Sequence, residues 1–97
     1  MTEQSQKSIC YLALGEGNDA LLVGYSLSLS PRERKLIDVL VILRYAQATD
    51  ISAACGGMIS KKLVPSVVHR INTKAKEISG RALIINTKCY YCFNRDM

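Results

Sequence analysis

Leu29-Ser30-Pro31-Arg32-Glu33-Arg34-Lys35-Leu36-Ile37-Asp38-Val39-Leu40 carries three signals of a helix start. Ser30 is the expected N-cap, Pro31 stands in the first turn where its missing N–H costs nothing, and Glu33 completes an S-x-x-E capping box. Leu36, Ile37, Leu40, Val41 and Leu43 follow at helical spacing, so the pattern predicts a first helix from Pro31 to about Tyr45.

Upstream of this start the chain favours strands. Residues 1–7 read as a frayed, disordered tail, and residues 8–97 as one domain. Ser8–Leu14 is apolar, Gly15–Asp19 is a dense turn cluster, and Tyr25-Ser26-Leu27-Ser28-Leu29 alternates within Ala20–Leu29. An antiparallel hairpin is expected, with a third short strand if the chain divides at Gly24. Its apolar positions Ile9, Tyr11, Leu21, Val23 and Tyr25 are expected to pack on the first helix. The remaining edge or face would then meet a second copy or another protein.

Downstream, Thr49 is read as the cap of a short helix from Asp50 to about Cys55, closed by Gly56-Gly57. Met58–Leu63 is a loop carrying Lys61 and Lys62. A third helix is expected over Val64–Ser79, stopped by Gly80. Val64, Val67, Val68, Ile71, Ala75 and Ile78 share one side of it. Ser66, His69, Arg70, Thr73, Lys76 and Glu77 share the other. Ala82–Ile85 and Cys89–Phe93 read as two strands around a turn at Asn86-Thr87-Lys88.

Charge is distributed unevenly along the 97 residues, whose formal net charge is +5. Residues 1–29 hold Lys7 against Glu3, Glu16 and Asp19. Residues 61–97 hold Lys61, Lys62, Arg70, Lys74, Lys76, Arg81, Lys88 and Arg95 against only Glu77 and Asp96. A basic C-terminal third makes nucleic acid the first partner to consider, while the plainer reading is a solvated surface. No apolar run approaches the roughly 18–20 residues of a membrane span, and the polar N-terminus lacks a signal-peptide core; a cytoplasmic protein is expected.

The cysteines are Cys10, Cys55, Cys89 and Cys92. One C-x-x-C with a single histidine falls short of the usual zinc set. On a strand, Cys89 and Cys92 would point to opposite faces, so reduced structural thiols and no metal are expected. Glu33, Asp38 and Asp50 form no acid–base pair, and no nucleophile or phosphate loop is evident. No enzyme activity and no cofactor are expected.

Strand pair, helix, short helix, basic helix and hairpin occur in the order of a winged helix-turn-helix. The chain resembles the DNA-binding effector domain of OmpR/PhoB-type response regulators over roughly residues 8–94. The family's L-[TS]-P-x-E-x-x-L-L start is matched by Leu29–Ile37. Its V-H-x-x-L-R-x-K text is similar to Val68-His69-Arg70-Ile71-Asn72-Thr73-Lys74. Its wing, I-x-T-x-R-G-x-G-Y-R-L, is similar to Ile85-Asn86-Thr87-Lys88-Cys89-Tyr90-Tyr91-Cys92-Phe93. The hairpin here lacks both wing glycines, Asn72 and Thr73 stand where the family is often more basic, and an effector-like region without a receiver domain is expected.

The resemblance implies an α+β fold and sequence-specific binding of double-stranded DNA by a transcriptional regulator, acting through Val64–Ser79 and the wing. The candidate contacts are Lys61, Lys62, Ser66, His69, Arg70, Thr73, Lys74, Lys76 and Lys88. A homodimer would double the contacts. Two other readings stay open. One is a winged-helix interaction module that has lost DNA binding, an adaptor or antagonist of a larger regulator. The other is single-strand binding by stacking on Tyr90, Tyr91 and Phe93, which could equally be core.

Overall fold

A computed structural model describes residues 12–14, 19–22 and 25–94. Among them the chain is mixed α+β. Strands β1 (Leu12–Leu14), β2 (Asp19–Leu22) and β3 (Tyr25–Ser28) form an antiparallel sheet in that order. Helices α1 (Pro31–Leu43), α2 (Ala48–Ala54) and α3 (Val64–Ser79) follow, with a 3-10 turn at Lys61–Leu63 leading into α3. Strands β4 (Ile84–Thr87) and β5 (Tyr90–Phe93) close the described chain as an antiparallel hairpin. Ile9, Cys10, Tyr11 and Val23 lie outside the described residues.

The start of α1 has the expected reciprocal cap. The Glu33 N–H donates to Ser30 Oγ at 3.3 Å, and the Ser30 N–H donates to Glu33 Oε1 at 2.9 Å. The same carboxylate accepts from Lys74 Nζ on α3 at 2.5 Å, and Glu33 is only 3% exposed. A local capping group therefore also joins two helices far apart in sequence.

Periodicity decides the core. Leu36, Ile37 and Leu40 of α1 face Val64, Val67, Val68, Ile71 and Ala75 of α3, with Ile51 of α2 and Ile59 filling the remaining side. Each buried aliphatic side chain contributes about 1.5–3 kcal/mol, so this cluster outweighs any single polar contact in the domain. Ile78 is half-buried at its margin. β2 and β3 lie against α3, and Leu27 and Leu29 belong to the core.

Three boundaries move for identifiable reasons. Helix α1 ends at Leu43 and not Tyr45. Arg44 adopts φ 69° and ψ −52°, and the Tyr45 N–H closes back on the Leu43 carbonyl at 2.7 Å, a tight γ-turn. The turn throws Ala46 beside β5, where its N–H donates to the Tyr91 carbonyl at 3.2 Å and its carbonyl accepts the Tyr91 N–H at 2.7 Å. The cap of α2 is Gln47 and not Thr49. Asp50 is the third helical residue, and its carboxylate accepts the Gln47 N–H at 3.1 Å.

The hairpin turn is Lys88-Cys89, one step beyond the expected Asn86-Thr87-Lys88. Thr87 pairs with Tyr90, which leaves a two-residue loop with φ 52° and 72°. Both signs suit a type I′ turn, whose twist matches that of the strands. Asn86 and Thr87 therefore belong to β4. Cys89 is a turn residue, so Cys89 and Cys92 do not alternate along one strand as expected.

Two stability predictions follow from these contacts. Lys88 and Cys89 both hold a left-handed backbone that costs a non-glycine residue about 1 kcal/mol or more. Cys89→Gly should raise the melting temperature by about 2–5 °C after allowing for glycine's greater unfolded-state freedom. An unchanged or lower value would contradict the strain. Lys74→Met should destabilise the domain by about 1–3 kcal/mol in urea titration. It strands a buried carboxylate, although water reaching the lysine softens the full cost of a broken buried pair.

Candidate nucleic-acid interface

Helix α3 sorts its side chains by depth. Val67, Val68 and Ile71 go to the core, and Ser66, His69, Arg70, Thr73, Lys76 and Glu77 are exposed. At 1.5 Å per residue, Ser66 to Lys76 form a polar stripe about 15 Å long. Immediately before it, Lys61 and Lys62 are exposed on the 3-10 turn. That turn is held by the Leu63 N–H bond to the Ser60 carbonyl at 2.9 Å, and it joins α3 without a break. The two lysines are thus fixed to the helix start and do not ride on a long loop.

Lys61, Lys62, Arg70, Lys76 and Lys88 make no ion pair or hydrogen bond with another described residue through their side chains. Their charges are not neutralised within the described fold. Thr73 differs, because its hydroxyl donates to the His69 carbonyl at 2.9 Å and so keeps only acceptor capacity. Lys74 differs more. Its ammonium is committed to Glu33, which places it on the flank of α3 that meets α1 and apart from the outward stripe.

Lys88 is exposed at the tip of the hairpin. The hairpin is held at both edges. In an antiparallel pair, alternate residues turn their backbone groups away from the partner strand. On β5 that residue is Tyr91, bound by Ala46. On β4 it is Ile84, bound by Asn72 of α3: Asn72 Nδ2 donates to the Ile84 carbonyl at 2.8 Å, and the Ile84 N–H donates to Asn72 Oδ1 at 2.8 Å. Asn94 closes the base, its N–H donating to the Leu83 carbonyl at 2.7 Å.

Sequence reading missed Asn72 and Ala46 as organisers. Asn72 has a weak signal, an amide just beside the polar stripe of an amphipathic helix. Ala46 has none.

The hairpin also has an apolar outward side. Tyr45 and Tyr90 meet edge to face, ring centroids 6.4 Å apart, and both are exposed; Ile42 nearby in sequence is 77% exposed. Tyr91, in contrast, is core, and Phe93 is packed against it. Cys55 is buried, which raises its thiol pKa against the opposing pull of Lys35 and favours the protonated form. Cys89 is exposed and Cys92 half-buried, both as free thiols.

Among the described residues no three metal-ligating side chains converge, and no helix is long and apolar enough to cross a membrane. No protein-family model, no curated protein and no solved structure matches the chain.

Proposed function

We propose that the chain is a winged helix-turn-helix protein that binds duplex DNA and regulates transcription, with α3 as the recognition helix and β4–β5 as the wing. One observation carries the reading. Arg70 and Lys76 on the outward stripe, Lys61 and Lys62 at its start and Lys88 on the hairpin are all exposed and unneutralised by described residues, with Glu77 the one acid on α3. A major groove about 12 Å wide admits a helix of this kind, and short polar side chains near its N-terminus leave the backbone free to approach. Ser66, His69, Arg70 and Thr73 would face base edges, while Lys61, Lys62, Lys76 and Lys88 would meet phosphates. Two copies joined through the N-terminal sheet would present two such helices to half-sites about 34 Å apart.

The exposed Ile42, Tyr45 and Tyr90 favour a second reading, an interaction module on the same fold. Salt separates the two. Five cations on phosphates give a slope of log K against log salt near −4 to −5, whereas an apolar interface barely responds.

A titration of the intact protein against specific and random duplexes at several salt concentrations should show that slope. Arg70→Ala should lose about 1–3 kcal/mol on the specific site and much less on random DNA, and Lys88→Ala should lose equally on both. A flat salt response, or no duplex binding at low salt, favours the interaction module. Equal losses for Arg70→Ala would remove its base-reading role.

A further inference from the structure

We infer that Asn72 is a positioning residue that locks the hairpin to α3, so that Lys88 and the outward stripe engage one ligand as a single rigid unit. This rests on the duplex-DNA reading. The geometry is that of a strand partner supplied by a side chain. The Asn72 amide turns one N–H and its oxygen to the same residue, Ile84, with both bonds at 2.8 Å.

Position explains why this contact controls the tip. Ile84 begins β4 and Lys88 lies four residues on, about 13 Å along the strand. A pivot of 10° at Ile84 would move the tip by about 2 Å, more than the tolerance of a hydrogen bond or close ion pair. Ala46 holds the hairpin on its β5 edge, but Ala46 belongs to the α1–α2 connection and not to α3. Asn72 is the link that refers the hairpin directly to the helix bearing Arg70 and Thr73. It sits between those two residues in sequence yet points to the hairpin, so a shift of α3 in a groove is transmitted to Lys88.

The test is a double-mutant cycle on duplex affinity with the full chain: unsubstituted protein, Asn72→Ala, Lys88→Ala and the pair. Hydrogen exchange at the Ile84 amide reports whether the latch has opened. Faster exchange in Asn72→Ala is expected, with the fold retained. Lys88→Ala should then matter less in the Asn72→Ala background by at least about threefold, a coupling that loss of stability alone would not produce. If Asn72→Ala does not fold, Asn72→Asp enters the same cycle; it keeps the acceptor for the Ile84 N–H and loses the donor to its carbonyl. Additive losses, within about twofold, overturn the positioning role and leave duplex binding standing. Absence of duplex binding by the unsubstituted protein removes both.

Discussion

The Glu33 carboxylate is the contact on which the arrangement of α1 and α3 depends. It is buried, and a buried carboxylate must have its charge and lone pairs satisfied. The Ser30 N–H and the Lys74 ammonium do this together. The first bond fixes where α1 begins. The second ties one flank of α3 to the start of α1. With Lys74 on that flank and Ile71 in the core, His69, Arg70 and Thr73 turn outward. The same rotation that buries the apolar side of α3 leaves Lys74 beside Glu33 and the polar stripe outside. Apolar packing supplies most of the stability and sets which face of α3 turns inward, and the ion pair ties that rotation to the start of α1.

A second constraint acts on the hairpin. Non-glycine residues with positive φ are Arg44, Lys88 and Cys89, among the described residues. All three serve the hairpin: Arg44 redirects the chain so that Ala46 can pair with Tyr91, and the other two form its turn. Strain of this kind persists only where the surroundings over-determine it. Here the compensation is visible, since Ala46 and Asn72 each contribute two hydrogen bonds to an outward-facing strand residue. A two-stranded hairpin is marginal by itself, and these edges are what hold it.

Legibility in the sequence followed the range of the interactions. The capping box at Ser30 and Glu33 involves four consecutive residues and was readable in full, as were the limits of α3, set by its apolar period and Gly80. The exposed stripe followed from the same period. Features that join distant segments were not readable. Lys74 looked like one more cation on a basic helix, because nothing local shows that a capping glutamate lies beside it. Nothing local shows that the Asn72 amide meets Ile84 twelve residues on. The hairpin turn was displaced because Asn-Thr-Lys has the polar composition of a turn, whereas the register set by Ile84 opposite Phe93 leaves Lys88-Cys89 as the two-residue loop. Thr49 gave way to Gln47 because Ala46 pairs with Tyr91, which leaves Gln47 as the cap and Ala48 as the first helical residue.

The two proposed uses of the surface call on different physics, and the hairpin takes part in both. Lys88 at its tip offers a point charge whose attraction is long-ranged and screened by salt. Tyr90, next to that tip, joins Tyr45 in an exposed aromatic pair whose burial would be short-ranged and nearly salt-independent. Since Asn72 and Ala46 hold the hairpin from opposite edges, a partner seated on the tyrosines would press on the Ala46 edge, and DNA on α3 would act through the Asn72 edge.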